Sequence, residues 1–280
     1  MSELRRRMLE DMRLHGLSER TRESYVRAVA GLARHYGRSP DELSEEEVRG
    51  FFLHLKEERG ASDSTVNVYL AGIRFLYEKA LGRQWGVLHL IRSRKRRRLP
   101  VALSPGEVEA ILARVEPPRS KACLTTIYAC GLRVSEGARL RVRDIDSGRR
   151  VVRVDQGKGG KDRYVPLSDR LLALLRAYWR QERPRDYLFP GQHPGHYVCV
   201  STIQRAFHVA LGRSGVAKPA SVHTLRHSYA THLLEQGVSL PLIQQILGHR
   251  SAQTTTIYTH VTAKSVEALR AALDGLIAGL

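Results

Sequence analysis

His223 and Arg226 stand three residues apart in SVHTLRHSYATHLLEQG, a segment with helical spacing. Residues at i and i+3 share one face of a helix, so an imidazole and a guanidinium can converge there on a single anion. A second histidine, His249, follows the apolar run Leu242, Ile243, Ile246 and Leu247 and then Gly248, the pattern of a short helix closed by a glycine C-cap. Nine residues further on, Tyr258 sits in the polar setting TTTIYTHV. Taken singly, each has an ordinary explanation: a histidine near a helix start caps it or lies on the surface, and most tyrosines pack half-buried. Taken together, they could hold an anionic group beside an oxygen nucleophile, the outline of chemistry at a phosphate.

The elements that would position this set read as mainly α. Residues 1–90 read as four or five helices. Ser18 caps a segment whose Tyr25, Val29, Leu32 and Tyr36 recur at helical intervals, and Ser44 with Glu47 forms a capping box before Val48, Phe51, Phe52 and Leu55. A further helix carries Val66, Tyr69, Leu70, Ile73, Leu76 and Tyr77 and stops near Gly82. By its residues alone, this bundle would serve protein binding as well as DNA binding. A second domain opens with Ser104, Pro105 and Glu107 as N-cap, N1 and N3 of a helix containing Val108, Ile111 and Leu112. The next helix, with Leu124, Ile127, Tyr128 and Cys130, runs to Gly131. Arg133, between Leu132 and Val134, then leaves a buried scaffold with its head group directed at one place, or else forms a structural ion pair with Glu136 or Asp144.

Two short β-branched runs, residues 151–154 and 163–167, flank QGKGGKD, giving a β-hairpin with lysines at its tip. GKGG is not a phosphate-binding P-loop, because the GxxxxGK[ST] spacing and the following helix are missing. Ser168 starts a helix through Leu171, Leu172, Leu175 and Tyr178, and residues 187–190 look like a short buried connector. Residues 200–212 read as another helix, offering Arg205, His208 and Arg213 either to DNA or to solvent. At the end, Val266, Leu269, Leu273, Leu276, Ile277 and Leu280 make an apolar stripe.

A chain of 280 residues has room for two domains with proper cores. Its formal charge of +18 and pI near 10.4 imply an anionic partner, with nucleic acid the default. The excess is uneven: residues 1–91 carry 15 basic and 14 acidic side chains, residues 92–98 six and none, and the remainder 25 and 14. The run Arg92, Arg94, Lys95, Arg96, Arg97 and Arg98 reads as an extended connector that tracks phosphates, with a merely solvated charge run as the alternative. Cys123, Cys130 and Cys199 have no metal-binding spacing and read as reduced core thiols. The N-terminus lacks an apolar signal region and no window approaches a membrane span, so the expected location is the cytoplasm, on the nucleoid.

HTLRHSYATHLLEQG followed by LGHRSAQTTTIYTHV resembles the two C-terminal signature boxes of the tyrosine recombinases, the phage-integrase family, and the Xer and integron-integrase branches look closest. GLRVSEGARL with Arg133 resembles the family's arginine box, and QGKGGKDRYVPL with Lys158 its lysine-bearing hairpin. The resemblance implies an N-terminal helical, SAM-like core-binding domain over 1–91, a basic linker over 92–99, and a catalytic domain over 100–280. That catalytic domain would be mainly α with a small β-hairpin or sheet and a C-terminal helix at 265–280. It implies the catalytic set Arg133, Lys158, His223, Arg226, His249 and Tyr258, with Lys161 and Arg163 as auxiliary phosphate contacts. Only the family's motif singles out Lys158 over Lys161. In the family, a comparable terminal segment docks on the neighbouring protomer, and exchange of this kind is preferred here over folding back.

What the resemblance implies chemically needs neither metal, cofactor nor ATP. Tyr258 would attack a phosphodiester of double-stranded DNA, Arg133 and Arg226 would clamp the phosphate, and His223 and His249 would add hydrogen bonds. Lys158 would protonate the leaving 5′ oxygen. A 3′-phosphotyrosyl bond would keep the bond energy until a partner strand reverses the step, leading through a Holliday junction. The working unit would be a homo-oligomer, a dimer per site and a tetramer in the synapse, with an accessory protein or partner recombinase as an option. Rival readings are a type IB topoisomerase, a DNA-binding regulator without catalysis, and a metal nuclease using Asp144, Asp146 and Asp155.

Overall fold

Local capping decides where several helices begin. In the computed structural model, which describes residues 2–91, 101–155 and 162–248 together with 270, 271, 273–277 and 279, Ser18, Ser44, Ser62, Ser104 and Ser168 each accept a backbone N–H from the first turn of the following helix. Each bond satisfies a donor that the helix itself leaves unpaired. Ser44 with Glu47 and Ser104 with Glu107 complete reciprocal capping boxes.

The chain divides into two compact units, Met1–Arg98 and Leu99–Leu280. The first contains α1 (Glu3–Leu14), α2 (Glu19–Tyr36), α3 (Glu45–Leu53), α4 (Asp63–Arg74) and the short α5 (Val87–Leu90). α3 and α4 each run on into a wider π-helical turn, His54–Glu58 and Phe75–Ala80. α2 and α4 meet at Gly72, where an added Cβ would lie 2.9 Å from Tyr25 Cα; only glycine lets the backbones come this close. The core is Met8, Met12, Leu32, Val48, Phe51, Phe52, Ile73, Leu76 and their neighbours.

The second unit contains α6 (Pro105–Ala113), α7 (Pro118–Ala129), α8 (Val134–Arg139), β1 (Ile145–Asp146), β2 (Val151–Val154), β3 (Arg163–Pro166), α9 (Asp169–Glu182), α10 (Val200–Arg213), α11 (Val222–Glu235) and α12 (Leu240–Leu247). The strands form an antiparallel sheet in the order β1-β2-β3, with Val152 opposite Val165 and Val154 opposite Arg163. β1 extends the expected hairpin to three strands. α7 is the central helix: residues 122–129 are all buried, and it packs against α9 and α11. α11 is tied to the start of the unit by His232, whose Nε2 lies 2.7 Å from the Leu103 carbonyl and whose Nδ1 lies 2.9 Å from the Tyr128 hydroxyl. The imidazole therefore donates from Nε2 and accepts at Nδ1, the neutral tautomer.

One expectation is corrected here. Cys123 and Cys130 are buried, but Cys199 is exposed; it occupies the N-cap of α10, where Val198 and Ile203 take the inward positions. The described part of the terminal stripe packs on its own unit in the single chain. Leu273, Leu276 and Ile277 are buried in the core of their own unit, and Asp274 Oδ1 accepts the Arg170 backbone N–H at 3.2 Å.

Candidate active site

Between α7 and α8 the chain turns at Gly131, which has φ +58 and is pressed between two other helices. A Cβ here would lie 2.5 Å from the Tyr229 ring of α11 and 2.8 Å from Leu247 of α12. The turn brings Arg133 to the N-terminus of α8 and aims the Gly131 carbonyl at α11, where Arg226 Nη1 donates to it at 2.6 Å. Arg226 Nη2 donates to the Leu247 carbonyl at 2.5 Å, at the C-terminal end of α12. A buried cation thus satisfies carbonyls that a helix end leaves free.

Glu136, one turn into α8, gathers three guanidinium groups. Arg133 Nη1 donates to Oε1 at 2.6 Å, and the Arg133 backbone N–H donates to Oε2 at 2.8 Å. Arg163 binds both oxygens, Nη1 to Oε1 at 2.9 Å and Nη2 to Oε2 at 2.8 Å. Arg226 Nη1 approaches Oε2 at 3.7 Å. Burial would raise the Glu136 carboxyl, but hydrogen bonds and charge from Arg163, then Arg133, outweigh it and hold the group at about 2. Desolvation and the neighbouring Arg133 charge lower Arg226 to about 10, against the opposing pull of Glu136. Three guanidinium charges against one carboxylate leave the cluster positive. Only Arg133 is notably open, with 23% of its side chain exposed against 3% for Arg226 and 7% for Arg163.

His223 is exposed on the same helix as Arg226 and stacks edge-on with His227, ring centroids 4.7 Å apart. Desolvation and the charges of His227, Arg226 and Arg133 lower its pKa, so at neutral pH the imidazole is uncharged. His227 is lowered by desolvation and by Arg226.

Arg133, His223 and Arg226 are therefore brought together as expected, and Arg133 also makes the structural ion pair with Glu136. Arg163 is a correction. It was expected to touch phosphate, but its guanidinium is enclosed, chelating Glu136 and donating from Nε to the Ile246 carbonyl at 2.8 Å. The cause is strand register: on β3 it lies in phase with Val165, both buried, while Tyr164 between them is exposed. Lys158, Lys161, His249, Tyr258 and the linker residues Arg92, Arg94, Lys95, Arg96, Arg97 and Arg98 lie outside the described residues. Gly248, just before His249, ends α12 in the left-handed conformation with φ +64.

On α10, Arg205 and His208 are exposed, whereas Arg213 pairs with Glu116. Asp144 accepts the Arg141 backbone N–H, and Asp146 accepts those of Gly148 and Arg149, so both carboxylates serve turns. Among the described residues no group of three or more His, Cys, Asp or Glu is placed to hold a metal ion. The central part of Glu136 and the inward course of Arg163 were missed by sequence reasoning. The signals were the i+3 spacing from Arg133 and the period-two alternation of RYVPL.

Comparison with known proteins follows the same division. The profile of the phage integrase family matches residues 102–265, and that of the phage integrase N-terminal SAM-like domain matches residues 4–87. The integrase/recombinase y4qK of Sinorhizobium fredii is 43% identical over 267 residues, covering 95% of this chain and 87% of its own length. Tyrosine recombinase XerD of Oceanobacillus iheyensis is 35% identical over 268 residues, 88% of this chain and 89% of its own. Among solved structures, the XerH site-specific recombinase bound to difH substrate aligns with TM-score 0.59 and 25% identity, covering 82% of this chain and 70% of that one.

Proposed function

The chain belongs to the phage integrase family and is a tyrosine site-specific recombinase, and we propose that it cuts and rejoins duplex DNA with Tyr258 as nucleophile and the cluster around Glu136 as its phosphate site. The observation that carries this reading is the convergence of Arg133 and Arg226 on one buried carboxylate, with His223 one turn from Arg226. Among the described residues Arg133 Nη2 and Nε have no hydrogen-bond partner, which leaves two donors for a bidentate grip on nonbridging phosphate oxygens. Arg226 is held by Gly131 and Leu247, so its remaining N–H groups are aimed without loss of rotamer freedom on binding. His223, neutral at pH 7, donates one hydrogen bond to the same phosphate.

A phenol with its ordinary pKa near 10 is a poor nucleophile at neutral pH. A pocket with net positive charge favours the phenolate and stabilises the added charge of the five-coordinate transition state. Tyr258 forms the bond to phosphorus while the bond to the 5′ oxygen breaks, and Lys158 supplies the proton that oxygen needs. The products are a 3′-phosphotyrosyl linkage and a 5′ hydroxyl. Attack by the 5′ hydroxyl of a partner strand reverses the step without ATP. His249, following the α12 C-cap, adds a donor to the same phosphate. The N-terminal unit, the basic linker and Lys161 add contacts to the same DNA. The assembly is two protomers per site and four in the synapse. Among the described residues no helix is long and apolar enough to cross a membrane, and the protein acts on DNA in the cytoplasm.

The test is to incubate wild-type and Tyr258→Phe protein with DNA surrounding its own gene and with a random genomic library, in EDTA, then denature. Wild type is expected to retain covalent DNA and Tyr258→Phe none. Equal background for both, with the fold intact and DNA bound, would overturn the reading.

A further inference from the structure

The guanidinium of Arg163 is committed internally, since each of its three nitrogens donates within the protein. Its side chain is 7% exposed, and its donors go to Glu136 and to the Ile246 carbonyl. It nevertheless touches the site at one remove. Glu136 Oε1 is shared by Arg163 at 2.9 Å and Arg133 at 2.6 Å, and Oε2 is shared by Arg163 at 2.8 Å and the Arg133 backbone N–H. Because Arg163 takes both oxygens from inside, the Arg133 side chain holds Glu136 through one nitrogen only.

We propose that Arg163 is a positioning residue that occupies Glu136, so that Arg133 and Arg226 remain available to the phosphate. Without Arg163, the buried carboxylate would have an unfilled lone pair on each oxygen. The nearest donors are Arg133, already bonded to Oε1, and Arg226, 3.7 Å from Oε2. An uncompensated buried carboxylate draws in whatever cation can reach it. Arg133 would close on Glu136 through two nitrogens and turn its fork from the ligand. The cluster would also lose one of its three positive charges. The same side chain joins three elements, since it springs from β3, holds α8 through Glu136 and grips α12 through Ile246. It therefore links the lysine-bearing hairpin to the helix that leads into His249.

This rests on the recombinase reading above, and the two fail differently. The experiment is single-turnover formation of covalent protein–DNA complex at saturating site DNA, with DNA affinity measured alongside, at a temperature where circular dichroism shows every variant folded. The variants are wild type, Arg163→Met, Glu136→Gln and the double substitution. Arg163→Met is expected to lower the cleavage rate about a hundredfold, with DNA affinity within about threefold because most phosphate contacts are intact. With the carboxylate removed, Arg163 has nothing to occupy, so adding Arg163→Met to Glu136→Gln should change the rate by less than about fivefold. A folded Arg163→Met that cleaves like wild type overturns the proposal, as does an undiminished hundredfold loss in the Glu136→Gln background. If Arg163→Met alone does not fold, the pair sharing Glu136→Gln decides by itself. Wild type without covalent DNA would take down the recombinase reading first, and the wild-type sample alone would reveal it.

Discussion

The two units differ in what they bury. The N-terminal helices enclose Met8, Met12, Leu32, Phe51, Phe52 and other apolar side chains, and every buried polar or charged residue among those described belongs to the C-terminal unit, Glu136, Asp144, Arg163, Arg226 and His232 among them. A core of the first kind is held by non-directional burial, which tolerates substitution of one apolar shape by another. A core of the second kind is held by directional bonds whose loss leaves charges stranded. On the proposed function that vulnerability has a reason, because a phosphate site needs fixed cations, and fixed cations need fixed partners.

The largest expected effect that would bring out this difference is at Glu136. Glu136→Ala leaves Arg163 and Arg226 without a counter-charge and should destabilise the C-terminal unit by about 3–5 kcal/mol. Hydrogen exchange read by mass spectrometry in the full chain should show the loss in α8, α11 and α12, with α2 and α4 unchanged. Leu32→Ala is the converse, costing about 3 kcal/mol through a cavity in the N-terminal core, read as faster exchange in α2 and α4 alone.

Acid should separate the units next. The folded-state pKa of Glu136, about 2, lies below its ordinary 4.5, so between those values the unfolded chain binds more protons and stability rises with pH. Its contribution, about 3 kcal/mol, is complete above pH 4.5 and is lost as the pH falls through 2. His232, whose pKa is lowered from 6.5 by desolvation despite the Leu103 carbonyl, adds a loss of the same sign, beginning as pH falls below 6.5. In the N-terminal unit the lowered carboxyl of Glu47 is at the surface, where water screens it. Urea titrations between pH 7 and pH 3 followed by exchange should therefore show the C-terminal unit weakening first; parallel weakening would argue against the contrast. The smallest effect should be the same in both: Ser44→Ala and Ser104→Ala each remove a capping box and should cost about 1 kcal/mol.

Much of this was legible in the chain itself. Ser44 with Glu47 and Ser104 with Glu107 announced helices that begin there, and Gly248 announced the end of α12. Arg133, His223 and Arg226 were identified by motif, and they do converge. Less legible was Arg163, placed by its neighbours in a lysine-rich hairpin among the phosphate contacts although the alternation of RYVPL already directed it inward. Cys199 was misjudged for a related reason, since cysteine's usual burial says nothing about a residue that caps a helix.

By itself the sequence determined the helices, their caps, the hairpin and the family, because each depends on residues a few positions apart or on a motif copied whole. Tertiary structure alone decided which arginine faces outward and which is enclosed. Arg163 meets Glu136 across 27 positions and Ile246 across 83, and Arg226 reaches Gly131 across 95. No local preference encodes those meetings. They arise because a buried carboxylate and the free carbonyls at the end of α12 must find donors, and the packing of α8, α11, α12 and β3 places the guanidinium groups there.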